Sequence, residues 1–357
     1  MNKDYEAENA MTLNFLAKIS LTLLAVLLIG AAFFYKLRMG FIDGPFMIFQ
    51  IIKNDSPDIM VERYGSIVTQ IFPFIGQKLA CSLDHIMLLY SVSFNLFYLI
   101  AGFIIYKLKQ YDWVIILAFY QIGFATDSFF WPNNEIHQGI AWMALTTGFW
   151  FYIEQFKSLS KVRGVLLFLM LTIAIFTHPL MIPVVLFLTI FYFLSGIFSF
   201  KDLKHKLLLL SVISLCALKF IVSSNNWYDG GKFKHLASYT YVDWLNVFHR
   251  PAMINFISEL IHNHLGALVV LFLCIFSLLK YKKYWLLGFI LMFTMVYLVF
   301  IAMTFAEFEK FYIESQWMPI AIFWITPLVY NLRLKLPDWK ILLFPFIILV
   351  SWLASIS

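Results

Sequence analysis

Residues Leu13–Gln50 read LNFLAKISLTLLAVLLIGAAFFYKLRMGFIDGPFMIFQ, and their order decides what kind of molecule this is. Positions 14–35 are apolar apart from Lys18 and a few small polar residues, and a helix over them is long enough to cross a hydrocarbon core of roughly 30 Å. The chain then meets Asp43, Gly44 and Pro45. A second apolar segment, Phe46–Ile52, follows and is closed by the turn-forming NDSPD at 54–58. A segment of that length predicts a short helix lying in the membrane interface, with Asp43 at its start. The question posed by this stretch is why Asp43, Asp55, Asp58, Glu62 and Arg63 stand together just outside the first span.

The rest of the chain shares the character of this opening. Of 357 residues, 62% are hydrophobic and 13% charged, and the mean hydropathy is +0.83. No soluble domain with a solvated surface has such a composition, so the chain reads as an integral membrane protein. Lipid cannot hydrogen-bond to the backbone, so spans are helices or closed barrels, and the apolar runs lack the strict alternation of barrel strands. The expected fold is all-α: a polytopic transmembrane helical bundle in one domain, 1–357. About eleven spans are expected, near 14–35, 86–106, 113–127, 138–153, 164–178, 180–199, 207–223, 264–280, 284–304, 318–331 and 341–355. The N-terminal run has no basic n-region and no small-residue cleavage pattern, and it reads as a retained first helix. Cys81, Cys216 and Cys274 are too far apart in sequence to suggest a disulfide framework or a zinc pattern.

Charge fixes the orientation. Alternate short connections carry Lys107 and Lys109; Lys157, Lys161 and Arg163; Lys201, Lys204 and Lys206; Lys280, Lys282 and Lys283; and Arg333, Lys335 and Lys340. Only Asp112, Glu154, Asp202 and Asp338 accompany them, which is the positive-inside signature of cytoplasmic loops. The N-terminus is therefore expected inside and the C-terminus outside. The net charge of +6 arises from this loop bias, so no nucleic-acid partner is implied. Long segments at 36–85 and 224–263, and shorter ones at 126–137 and 305–317, all fall on the outer face. The segment 67–80 contains Pro73 and Gly76 and suits an interfacial or re-entrant course better than a span.

Candidate functional residues lie in those outer segments. Asp43 at the membrane surface has the chemistry of a general base, though an Asp after a span also serves as a plain helix-start residue. Glu135 and His137, in ATDSFFWPNNEIHQGIAW, bring an acid and a base together beside a span, while Asn133 and Asn134 are accounted for as turn formers. His178 in FTHPLMIP is either a hydrogen-bonded helix end or a binder of an anionic head group. The loop 224–263 interleaves Trp227, Tyr228, Tyr239, Tyr241 and Trp244 with Lys232, Lys234, His235, His249 and Arg250. Such a pattern is either an interface belt or a surface for sugar rings and phosphate. Glu307, Lys310 and Glu314 share one helical face, as a solvated turn would. Few ionisable groups lie at mid-membrane depth, which favours surface chemistry on a lipid-borne substrate over transport.

An early external Asp in FIDGPF, the polar patch VERYG (Glu62, Arg63, Tyr64) and His178-Pro179 at a helix junction resemble the GT-C superfamily of polytopic glycosyltransferases. The resemblance implies transfer of a sugar from a polyprenyl-phosphate carrier to a glycan, lipid or protein acceptor outside the cytoplasm. It points to a bacterial inner membrane, with membrane lipids as surroundings. Asp43 and Glu62 are then the expected catalytic residues, and Arg63, Glu135, His137, His178, Arg250 and Glu314 the expected substrate-binding ones. The resemblance admits a divalent cation, Mg or Mn, but no cluster has metal-ligand spacing and no metal residue is assigned. Two other readings share the topology: a transporter or flippase of lipid-linked glycans, and a polysaccharide polymerase of the O-antigen type.

Overall fold

The computed structural model describes residues 3–41, 43–124, 127–156, 160–305 and 312–335. The expected span 341–355 and residues Glu307, Glu309 and Lys310 lie outside them. All regular structure among the described residues is helical. Two compact units are formed, one from residues 1–121 and 125–178, the other from 122–124 and 179–357.

The first unit contains α1 (Lys3–Phe33), α2 (Tyr35–Met39), α3 (Gly44–Asn54), α4 (Ile67–Lys78), α5 (Leu83–Lys107), most of α6 (Tyr111–Gly123), α7 (Glu135–Glu154) and α8 (Lys161–Thr177). Local chemistry sets the boundaries. Pro45 occupies the first turn of α3, where its missing N–H is harmless, and Asp55 ends that helix in left-handed backbone at φ 54°. Asn134 caps α7, its Oδ1 accepting from the N–H groups of Ile136 (3.1 Å) and His137 (3.4 Å). In this unit α5 is central, packing against α1, α2, α4 and α7, while α7 also packs against α8.

The second unit contains α9 (Met181–Leu194), α10 (Leu203–Asn225), α11 (Trp227–Ala237), α12 (Tyr241–Leu245), α13 (Pro251–His262), α14 (Leu265–Lys280), α15 (Tyr284–Thr304) and α16 (Ala321–Lys335). Phe187 stacks on Phe289, lies tilted against Phe323 and meets Phe293 edge-on, which forms an aromatic core between α9, α15 and α16.

Among the described residues, four helices are long and apolar enough to cross a membrane: Met11–Phe33, α5, α10 and α15. The bent pair α13–α14, at 89°, makes up to five. Each described run expected to span does lie on a helix, but α6, α8, α9 and α14 have 13, 17, 14 and 16 residues. At 1.5 Å per residue these fall short of a roughly 30 Å core. With 20 residues α7 is long enough, yet Glu135, His137, Gln138, Thr146 and Thr147 interrupt its apolarity. The count of eleven therefore exceeds what helix length and composition display.

The outer surfaces are apolar. Val26 and Ile29 on α1, Val162, Val165 and Leu169 on α8, Leu210, Ile213 and Ile221 on α10 and Met292 and Val296 on α15 are all exposed. So extensive an apolar surface suits lipid, which makes this an integral membrane protein.

Candidate functional site

In the first unit, the segment between α1 and α5 and the connection before α7 bring Asp43 and Asp58 of the opening stretch toward Glu135, whereas Asp55 is exposed and pairs with Lys78. Asp43 sits at the start of α3, but its side chain makes no capping hydrogen bond. Its carboxylate instead accepts a hydrogen bond from the side chain of Asn133. The residue is exposed as a whole, yet neighbouring atoms crowd the carboxyl group from one side. This partial desolvation raises its pKa, and the Asn133 hydrogen bond draws it back.

Asp58 lies early in the α3–α4 connection, half-buried, with its pKa also raised by desolvation. Gln70 of α4 holds it by a pair of bonds: the Asp58 N–H donates to Gln70 Oε1 at 2.6 Å, and Gln70 Nε2 donates to the Asp58 carbonyl at 2.8 Å. Val61 and Glu62 then take left-handed backbone, at φ 42° and 56°. For a β-branched residue this conformation is strained and persists only where surrounding contacts fix it. The strained step delivers Arg63 into the interior, where its Nη1 lies 3.3 Å from Glu135 Oε2 at the head of α7. Both side chains are mostly buried, at 9% and 19% exposure.

Tyr90 of α5 completes the cluster. It is fully buried, and its hydroxyl lies within electrostatic reach of Glu135, Asp58 and Asp43. Among the described residues that hydroxyl has no hydrogen-bond partner. The geometry thus assembles Asp43, Asn133, Asp58, Arg63, Glu135 and Tyr90 from four pieces of chain. An arrangement of this kind can accept a proton at Asp43 and hold a hydroxyl-bearing molecule nearby.

Helix α4 anchors the site from one side. Thr69 Oγ1 donates to Gln138 Oε1 of α7 at 3.1 Å, and Ser93 Oγ of α5 donates to the Thr69 carbonyl at 2.6 Å. A 3₁₀ turn over Tyr64–Ser66 presses onto the end of α8, and Trp142 Nε1 of α7 donates to the Gly65 carbonyl at 3.1 Å.

Other expected residues take different positions. His137 is wholly buried: its Nδ1 lies 2.8 Å from the Tyr120 hydroxyl, and its carbonyl accepts from the Tyr98 hydroxyl at 2.6 Å. It joins α5, α6 and α7, which is a packing role. His178 ends α8 in extended backbone and is half-buried. In the second unit, the Arg250 guanidinium lies 3.5 Å from Asp243 and 4.2 Å from the ring centre of Tyr239. Hydrogen bonds from Thr240 and the charge of Arg250 keep the Asp243 carboxyl below its usual pKa. Glu314 is buried in a π-helical turn, Ile313–Trp317, whose Trp317 stacks on Phe256 at 4.4 Å.

Sequence reasoning gave Asn133 only a turn role and left Tyr90 and Gln70 unremarked. A polar residue within an apolar span was the available signal for Tyr90. Asn133 had no such signal, because its partner is ninety residues upstream. No family model matches the chain, and neither a curated protein nor a solved structure does.

Proposed function

We propose that this chain is a membrane glycosyltransferase of the GT-C type, which moves a sugar from a polyprenyl-phosphate carrier to an acceptor hydroxyl at the external face of a bacterial inner membrane. In this reading the shorter helices α6, α7, α8, α9, α14 and α16 also serve as spans, tilted or sheltered by neighbours. The observation that carries the proposal is the state of Asp43: a carboxylate that does not cap its helix, is reachable from outside, and has a raised pKa trimmed by Asn133. Those are the properties of a general base.

The step is a displacement. The acceptor oxygen forms a bond to the anomeric carbon as the bond from that carbon to the carrier phosphate breaks. The phosphate leaves with the electron pair, and the acceptor proton passes to Asp43. Tyr90 and Asp58 would orient the acceptor. Glu135 is committed to Arg63, so this pair fixes the wall of the site while Glu62 lines its approach. Arg250 is likewise engaged with Asp243, which reduces its value for a phosphate.

The test is transfer of radiolabelled sugar from a panel of polyprenyl-phosphate sugars by purified wild type and Asp43→Asn. A base of this kind contributes about 10²–10⁴-fold in rate. Asp43→Asn should lose turnover by that factor with an unchanged melting temperature, because the side chain does no capping. Equal transfer by the two proteins would remove Asp43 from the chemistry.

A further inference from the structure

Arg38 is the last charged residue before Asp43, and it is fully buried. Its Nη1 donates to the Ser91 carbonyl of α5 at 2.9 Å. The other edge of the guanidinium, Nε and Nη2, is buried with no hydrogen-bond partner among the described residues. No carboxylate among them compensates the charge either, since the only influence on its pKa is burial, which pulls it down to about 9. At neutral pH the group is therefore a buried cation. An isolated cation away from water is among the least favourable things a fold can contain.

The two unsatisfied N–H groups are not scattered. Nε and Nη2 share one edge of a planar guanidinium and point the same way, which is the fork that takes two oxygens of one phosphate or carboxylate. The location narrows the choice. Arg38 follows the first span by five residues, on the face assigned to the outside. The same connection that serves Asp43 also covers Arg38: Asn133 reaches Asp43, and the ring of Phe129 lies 4.5 Å from the Arg38 guanidinium. Phe129 itself is half-buried.

We propose that Arg38, five residues before Asp43 in the chain, anchors an oxoanion site of the phosphate class, the two Arg38 N–H groups binding two phosphate oxygens. This assigns the phosphate end of the lipid-borne substrate in the reading above and rests on that reading only for the identity of the lipid. The assignment also moves the role from Arg63 and Arg250, each already facing a carboxylate, to a cation that faces none among the described residues.

Thermal unfolding of the full chain in nonionic detergent tests it, with four probes: inorganic phosphate, pyrophosphate, polyprenyl phosphate and phosphatidylglycerol. The wild type should be stabilised by at least one. A response to polyprenyl phosphate or phosphatidylglycerol alone identifies a lipid source, and a response to the inorganic probes identifies a free one. In Arg38→Gln the shift should vanish, while the melting temperature without probe should not fall, because an uncompensated charge has been removed. In Arg38→Lys, which keeps the charge and loses the fork, affinity should weaken on the order of 10–100-fold. An equal shift in wild type and Arg38→Gln, no shift with any probe, or wild-type affinity in Arg38→Lys would overturn the site. If Arg38→Gln does not fold, the lysine variant alone decides. Sugar plays no part in this measurement, so a shift without sugar transfer sinks only the glycosyltransferase reading, and transfer without a shift sinks only this one.

Discussion

Replacing Gly65 with Ala tests whether the strained segment around Glu62 and Arg63 is held in place by contact with α8. A Cβ at position 65 would lie 1.8 Å from Thr177 Oγ1, 2.8 Å from Thr177 Cβ and 3.1 Å from the Ile173 carbonyl. The Thr177 hydroxyl is not idle, since it donates to the Ile173 carbonyl at 2.7 Å. Rotating it away loses that bond, a matter of about 1 kcal/mol, and still leaves the two Cβ atoms too close. The 3₁₀ turn must therefore retreat by roughly 1 Å to restore ordinary contact. That retreat stretches the bond from Trp142 to the Gly65 carbonyl and draws Arg63 away from Glu135. Overpacking of this sort costs about 1–3 kcal/mol, and with the added losses the upper end applies. For a unit of this size the melting temperature should fall by roughly 5–10 °C.

The assay is thermal unfolding of the purified protein followed by tryptophan fluorescence. Thr177→Ala added to Gly65→Ala removes the nearest atom and should return about half of the loss, since the Cβ contact remains. A melting temperature for Gly65→Ala within a degree of wild type would show that the turn does not press on α8. A double variant no better than Gly65→Ala would show that Thr177 is not the obstacle.

Two further outcomes concern charges. Glu135→Gln leaves the Arg63 guanidinium buried beside a neutral amide and should destabilise by about 1–3 kcal/mol. Pairing it with Arg63→Met should recover most of that in a double-mutant cycle, whereas strictly additive losses would mean the two groups do not interact. Asn133→Ala removes the hydrogen bond that lowers the pKa of Asp43, so that pKa should rise further. A general base works only when deprotonated, and activity would accordingly be lost at a higher pH on acidification than in wild type. An acid limb of the pH–rate profile that stays in place would break the link between Asn133 and the base.

The all-helical character was legible because it follows from the apolarity of whole segments, a property that needs no knowledge of neighbours. The start of α3 after Asp43 and its end at NDSPD were legible for the same reason, as Pro45 and the turn formers act locally. The number of spans was less so. A run of apolar residues does not reveal that its helix ends after 13 or 14 residues, as in α6 and α9. Of the polar cluster described above, Asp43, Arg63 and Glu135 were legible, because there charge interrupts apolar sequence. What sequence could not give was which charges neutralise each other. Arg63 and Glu135 are paired across 72 residues, while Arg38, placed between them and the first span, has one edge without a partner among the described residues. His137 looked reactive because Glu135 precedes it. On a helix, however, residues two apart point in different directions, and His137 turns inward to Tyr120 as Glu135 turns to Arg63.

Helix α4 shows how such a site is held against a membrane. Its buried face carries Thr69, Gln70, Pro73 and Gly76, and its exposed face Ile67, Ile71, Phe72, Ile75 and Leu79. In water this distribution would be inside-out. Beside lipid it is favourable on both counts: the apolar face loses nothing in hydrocarbon, and the polar face finds Asp58, Ser93 and Gln138 within the protein. With 12 residues it reaches only about 18 Å, too little to cross. It serves instead as a wedge whose hydrogen bonds run toward α5, α7 and the Asp58 connection. The polar contacts that fix α4 are therefore the ones that fix Asp58 and the turn carrying Arg63. The acidic cluster is supported by a helix whose apolar side is exposed and whose polar side faces the protein.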